Sequence, residues 1–238
     1  MGSRLTVVTF LWKSTGWRSY GEKHVLALKR QLEKYLNVPH KFVCVTDREY
    51  ISGCETYPLW DEPKVEVPEG RPNCYKRLKL FAPEARNMFG EWVLSIDLDT
   101  LIRHDISHLF TFEEDFRIMK GSVAPYNGSM FLHKTGTRTH AWDEFDPKKS
   151  PQEARKNKMP DTGKPFHGSD QAWLSHILPN EATWDKSDSI YNFVNDIGPH
   201  EIPPSVKMIQ FPGDMKPWSG DMVTKNKQVF TEYKQFLR

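Results

Sequence analysis

Cysteine is scarce: the 238 residues contain three, Cys44, Cys54 and Cys74. The number is odd and no two stand at a Cys-x-x-Cys spacing. That excludes a thiolate zinc site and a disulfide framework, and it suits a reducing, cytoplasmic setting. Long apolar runs are also missing. None approaches the ~20 residues that cross a bilayer, so no transmembrane segment is expected. The opening MGSRLTVVTFLW has too short an apolar stretch for a signal peptide, and no small-residue cleavage site follows. Neither charge sign dominates: 33 Lys and Arg against 31 Asp and Glu leave a net +2. That balance is too even for a dedicated nucleic-acid binder, although it permits a local basic patch. There is no internal repeat and no clear linker, so residues 1–238 read as one domain.

What is present is patterned as α/β. LTVVTFLW, residues 5–12, is an apolar, β-branched run and reads as a buried strand. EKHVLALKRQLEKYL repeats Val25, Leu28, Leu32 and Leu36 at helical spacing, and Asn37 and Pro39 stop it. KFVCVTD is a second strand. Strand, helix and strand within about 45 residues make a βαβ unit, which implies a right-handed crossover and a parallel sheet. Residues 51–74 are rich in proline and acids and read as loop. YKRLKLFAPEA reads as helix up to or beyond Pro83, and WVLSI as the next buried strand. DISHLF opens a short helix with Asp105 as N-cap. APYNGSMFLHK is strand-like, and GTRTHAWDEF is an amphipathic piece. Residues 146–165 show no apolar periodicity and carry Lys148, Lys149, Arg155, Lys156, Lys158 and Lys164, which predicts a mobile surface loop. HGSDQAWLSHIL, VKMIQFPGDMKPW and VFTEYKQFL follow as helix, strand with a Gly/Pro turn, and terminal helix.

Asp97 and Asp99 stand two apart where the strand WVLSI ends. Alternation along a strand would put both on one side, at the carboxyl end where open α/β sheets bind ligands. Two carboxylates there repel each other and are costly to bury, and a divalent cation removes both problems. Carboxylate oxygens suit Mg²⁺ or Mn²⁺, ions that also take phosphate oxygens as ligands. Solvated loop acids, or one cap and one salt bridge, would also account for the pair. So would the Asp-x-Asp nucleophile of a haloacid-dehalogenase-type phosphatase. That class requires Gly-Thr after the second Asp and a motif near the N-terminus. Here Thr100 follows Asp99 directly and a complete βαβ unit comes first.

YKRLKLF followed by WVLSIDLDTLI resembles the retaining GT-A glycosyltransferases of the glycogenin and lipopolysaccharide galactosyltransferase type, family 8. YNGSMFL resembles that family's Phe-Asn-(Ser/Ala)-Gly segment, GSDQAWL its Asp-Gln segment, and IQFPGDMKPW its His-Phe-x-Gly-x-x-Lys-Pro-Trp segment. The order matches from about Leu5 to Trp218. The resemblance implies a Rossmann-like GT-A fold, with a mixed, mostly parallel sheet flanked by helices. Residues of about 5–105 would form a nucleotide-binding half, and 106–238 an acceptor-side half. It implies transfer of a sugar, with retention, from a nucleoside-diphosphate sugar, UDP-linked in the family pattern, to an acceptor hydroxyl.

By the same resemblance, Asp97 and Asp99 hold Mn²⁺ or Mg²⁺ on the diphosphate, and Lys216 binds a phosphate as a point charge. Gly213 lets the backbone approach. Arg77 reaches the donor, where an exposed helix charge is the plainer reading. Val8, Thr9, Phe10 and Leu11 lie near the base, or are simply core. Asn127 and Ser129 bond the sugar or diphosphate, although Asn-Gly is also a turn signal. Asp170 and Gln171 sit beside the anomeric carbon as catalytic residues, where polar capping after Ser169 is the alternative. One position departs from the pattern: Gln210 replaces the metal-binding His, and an amide oxygen is a weaker ligand than imidazole for Mn²⁺. His167 and His200 are possible substitutes. The acceptor reads as a glycan, with hydroxymethylated DNA as the choice a basic 146–165 segment would favour. A nucleotide-sugar-binding module without turnover remains a further alternative.

Overall fold

The order of elements follows the apolar and β-branched runs. The computed structural model describes residues 5–13, 20–67 and 73–238. The chain runs through β1 (Leu5–Leu11), α1 (Glu22–Tyr35), β2 (His40–Thr46), β3 (Glu55–Pro58) and a 3-10 helix over Cys74–Phe81. It continues through α2 (Ala85–Phe89), β4 (Trp92–Ile96), β5 (Thr100–Ile102), β6 (Phe116–Lys120) and β7 (Tyr126–Lys134). Next come α3 (His140–Asp143), α4 (Ser150–Lys156), α5 (Asp170–Ile177), β8 (Ala182–Trp184) and β9 (Ile190–Asn192). A single π-turn over Phe193–Ile197 leads to β10 (Met208–Gln210), α6 (Gly220–Lys225) and α7 (Lys227–Lys234). Seven strands form a mixed sheet in the order β3-β2-β1-β4-β7-β6-β8. The pairs β2/β3 and β6/β8 are parallel and β6/β7 is antiparallel. A three-stranded sheet has the order β5-β10-β9. This is the α/β, Rossmann-like architecture expected.

The chain forms two compact units that interleave in sequence. One gathers Met1–Val7, Leu59–Ser95 and Phe112–Trp184. Its 3-10 helix buries Tyr75, Leu78 and Phe81 at spacings of three, the period at which a 3-10 helix eclipses its side chains. The Phe81 ring packs 5.4 Å from Phe131 and 5.8 Å from Phe116. The other unit gathers Val8–Pro58, Ile96–Thr111 and Asp185–Arg238. Its core joins Ala27 of α1 to Leu101 and Ile209, and to Val229 and Tyr233 of α7.

Several local expectations are corrected. The 51–74 loop contains β3, an edge strand with exposed or half-buried residues throughout. An edge strand needs no apolar face, so no alternation announces it. The 146–165 segment contains α4, which begins with Pro151 in its first turn. Within α4 only Ser150 and Ala154 are buried, too few to print a period. The α-helix read across 75–85 is a 3-10 helix that ends before Pro83, because Ala82 is extended at ψ 148°. A proline disfavours helical backbone in the residue before it. Asp105 does not cap a helix of regular form. It accepts from the backbone N–H of Ser107 at 2.8 Å and so holds a short turn.

Candidate functional site

The Asp pair belongs to the second unit. β4 ends at Ile96 and β5 begins at Thr100, so Asp97 to Asp99 form the bend between two strands. Strand alternation does not extend across that bend. Leu98 and Asp99 are buried, and Asp97 is partly exposed. Two devices fix the bend. Thr100 donates from Oγ1 to the Asp97 carbonyl at 2.9 Å. Gln31, fully buried on α1, donates to the Thr100 carbonyl at 3.3 Å and accepts from the Ile102 N–H at 2.7 Å. A polar side chain inside the apolar stripe of α1 was the one sequence signal for this role.

Asp99 has company. Tyr20 donates to its Oδ2 at 3.0 Å, and the Lys216 ammonium donates to the same oxygen. Lys216 is 5% exposed, and its Nζ stands 5.5 Å from the centre of the Tyr20 ring. Trp218, in the same turn as Lys216, stacks on His24 at 4.0 Å and meets Tyr20 edge-on at 5.3 Å. His24 accepts the Gly21 N–H on Nδ1 at 2.9 Å, which puts its proton on Nε2. Burial holds His24 down to about 4, with Lys23 adding to the effect, so the ring is neutral at pH 7. Gly213 has φ +67°, and a Cβ there would meet nothing within 4 Å. Glycine is therefore required by the left-handed turn that brings the chain round to Lys216.

Gln210 is buried and pairs with Thr100 across β10 and β5. Its Oε1 lies 3.0 Å from Thr100 Oγ1 and shares that one hydroxyl proton with the Asp97 carbonyl. Asp97, Asp99 and Gln210 carry side-chain oxygens, the donor type that suits Mg²⁺ or Mn²⁺. Among the described residues no group of three or more His, Cys, Asp and Glu could hold a metal ion. The two carboxylates fit a hard divalent ion. The amide oxygen is already engaged, and Lys216 competes for Asp99. In β1, Val8, Thr9 and Leu11 are buried and Phe10 is partly exposed, with its ring 6.0 Å from Trp12. The buried Thr9 Oγ1 has no hydrogen-bond partner.

The remaining candidates lie in the first unit. Arg77 is not a surface charge: it is 5% exposed and Asp170 is 1% exposed. Arg77 Nε lies 2.8 Å from Asp170 Oδ2, and Nη2 donates to Oδ1 at 3.1 Å. Ser169 Oγ also donates to Oδ1, at 3.1 Å, and makes no capping bond to α5. Asn127 and Ser129 lie within β7 and not at a hairpin turn. Opposite them the β6/β7 register shifts, so that Ile118 faces Phe131 while Met119 faces Asn127. At this bulge the Ser129 N–H turns to Asn127 Oδ1 at 3.0 Å, a device strands use to re-aim side chains beside sites. The buried Ser129 Oγ has no partner. A Cβ on Gly128 would meet Asp170 Oδ2 at 2.8 Å and Arg77 Nη2 at 3.1 Å. The glycine is therefore there to admit the ion pair. Gln171 donates to the His167 carbonyl at 3.0 Å, and a Cβ on Gly168 would strike its side chain at 2.5 Å.

No protein-family model matches the chain, and no curated protein matches it. Solved structures do. A galactosyltransferase, LgtC, in complex with donor and acceptor sugar analogs, superposes with a TM-score of 0.61 at 12% identity, over 97% of this chain and 95% of that one. GlyE, a glycosyltransferase of Streptococcus pneumoniae TIGR4, gives a TM-score of 0.57 at 13% identity, over 100% of this chain and 62% of that one. WbbM, a bifunctional glycosyltransferase, gives 0.61 at 11% identity, over 100% and 50%. The chain therefore has the fold of these glycosyltransferases.

Proposed function

We propose that the protein is a glycosyltransferase that moves a sugar from a nucleoside-diphosphate sugar, UDP-linked on the family resemblance, to an acceptor hydroxyl with retention. The observation that carries this reading is Lys216 on Asp99, the second carboxylate of the bend that follows β4. This contact supports the reading, because a cation suited to phosphate and a carboxylate suited to a metal meet there. A divalent ion bound there supplies charge neutralisation for the leaving diphosphate. Asp97 and Asp99 would hold it, with the Gln210 amide oxygen as the third ligand. Lys216, freed from Asp99, pairs with a phosphate oxygen, and Gly213 gives the turn its shape. Thr9 and Phe10 of β1 are assigned to the base, with Val8 and Leu11 holding the strand behind them.

On the family resemblance, Asp170 takes sugar hydroxyls, and Arg77 orients its carboxylate through a two-point contact. Asn127 and Ser129 offer an amide and an unpaired hydroxyl to the donor. Gln171 is assigned to the face of the anomeric carbon. One of the similar structures is an active-site mutant of LgtC in which a glutamine is exchanged for glutamate, which supports a role for this residue type. In the reaction the acceptor oxygen bonds to the anomeric carbon as the bond from that carbon to the diphosphate oxygen breaks. The acceptor proton passes to the departing diphosphate.

Thermal shift across a panel of nucleotide sugars with Mn²⁺ tests the reading. One sugar nucleotide should raise the melting temperature in the presence of the metal, and no response to any member would contradict it. Gln210 in the place of the family's metal-binding His favours a second reading, a nucleotide-sugar-binding module without turnover. Tight UDP binding with no donor hydrolysis under any metal would select it.

A further inference from the structure

We propose that the acceptor is a duplex polynucleotide, gripped by its phosphodiester backbone on a basic strip formed by residues 146–165. This inference rests on the glycosyltransferase reading for the reaction, but not for the binding. The segment carries six cations against Asp146, Glu153 and Asp161. Its net of three positive charges exceeds the net +2 of the whole chain. Lys148, Lys149, Arg155, Lys156, Lys158 and Lys164 are all exposed. Among the described residues only Lys149 has an ion pair, a 3.8 Å contact to Asp146 with the lysine 74% exposed. Among the described residues the other five make no ion pair, although Lys148 lies in the field of Asp146.

The strip is built, not loose. α4 is followed by a tight loop in which Met159 N–H donates to the Lys164 carbonyl at 2.8 Å and Phe166 N–H to the Asn157 carbonyl at 2.9 Å. Met159 and Phe166 are buried as its anchors. Asn157 Nδ2 bonds His176 Nδ1 of α5 at 2.9 Å. The strip is thereby tied to the helix whose first residue is Asp170. Helix stability explains Arg155 and Lys156, which favour the carbonyl end of α4. It does not explain Lys148 and Lys149, which precede the helix where the dipole repels cations.

The kind of polyanion follows from what the strip omits. Residues 146–165 contain no Phe, Tyr or Trp, so the strip itself offers no stacking platform for unpaired bases, which favours a duplex over a single strand. Five of the six cations are lysines, point charges that contact phosphate without reading bases. A dense, regular array of charge is what such a set holds best, through release of counterions. The acceptor hydroxyl is then either a hydroxymethyl group on a DNA base or the 2′-hydroxyl of RNA.

Fluorescence anisotropy with labelled 30-base-pair DNA and RNA duplexes, titrated between 50 and 200 mM salt, tests this. Wild type should bind, with affinity falling about a thousandfold over that range if six phosphates are neutralised. The tighter of the two duplexes identifies the acceptor. The variant K148Q/K149Q/R155Q/K156Q should bind weakly, with a log–log salt slope shallower by about 3 to 4, and should hydrolyse the sugar-nucleotide donor at the wild-type rate. Salt-insensitive binding, an unchanged affinity in the variant, or preference for poly(glycerol phosphate) over both duplexes would overturn the proposal. Donor hydrolysis without duplex binding would sink this inference alone. Duplex binding without donor hydrolysis would sink the enzymatic reading alone.

Discussion

Lys216 reaches Asp99 across 117 residues of chain and donates to its Oδ2. Both are nearly out of water, with side-chain exposures of 7% and 11%. A buried carboxylate needs a cation, and in this structure Lys216 provides it. Replacing that cation by a divalent ion would release Lys216 for phosphate. In the proposed site, metal and phosphate binding would therefore be linked through one carboxylate oxygen.

Breaking this pair on one side should be costly. Lys216→Met leaves Asp99 buried without its cation, and a loss of about 3 kcal/mol in urea denaturation is expected. The double variant Lys216→Met with Asp99→Leu should recover most of that loss, because two matched apolar groups replace two charges. Equal and additive losses from the two single variants would show that the residues act independently.

The Arg77–Asp170 pair should tolerate no substitute geometry. Arg77→Lys keeps the charge but gives up the two-point contact with Asp170, and sugar transfer should fall at least tenfold, about 1.4 kcal/mol. Gly128→Ala pushes a methyl group against Asp170 Oδ2, found 2.8 Å from the added carbon. It should disturb the same pair with a comparable loss of turnover while the protein remains folded. Gly220→Ala, where the added carbon meets nothing within 4 Å, serves as the control and should leave turnover unchanged.

Acid should destabilise the fold through two histidines. His133, fully buried on β7 and 4.5 Å from the Phe81 ring, is pushed down to about 3 by burial, with Arg138 adding to the effect, and His24 to about 4. Both are lower in the folded chain than the usual 6.5, so the unfolded chain takes up their protons first. Stability is full above pH 6.5 and declines as pH falls towards 4 for His24 and 3 for His133, by up to about 1.4 kcal/mol per unit for each. His133→Leu should flatten its share of this slope, read from denaturation midpoints at pH 7 and pH 5. An unchanged slope would mean that carboxylates carry the acid sensitivity.

Gln210→His tests the departure in the metal set. It removes the acceptor used by Thr100 Oγ1 and offers imidazole in its place. The Mn²⁺ concentration for half-maximal stimulation of donor hydrolysis should drop, on the order of tenfold or about 1.4 kcal/mol. No change would mean that position 210 lies outside the metal's reach.

Much of this was legible in the chain. β1, α1, β4 and α5 announce themselves because each buries one face or both, and Asp97, Asp99, Lys216, Asp170 and Gln171 stand in a recognisable order. What stayed hidden has a common cause. β5, β9 and β10 have three residues each, too few to display alternation. Tyr20 and Gln31 act on Asp99 and Thr100, some 70 to 80 residues away, so no local pattern marks them. The Asn-Gly pair at 127 looked like a turn because glycine's usual use is conformational. Here its use is space, beside a buried ion pair that only the folded chain brings together.

The central claim is a metal-assisted donor site at Asp97 and Asp99. Its most direct test is donor hydrolysis by wild type, Asp97→Asn and Asp99→Asn, each with Mn²⁺ and with EDTA. Wild type should turn over only with metal, and each variant should lose at least a hundredfold, about 2.7 kcal/mol. Turnover by both variants at the wild-type rate, or full activity in EDTA, would contradict it.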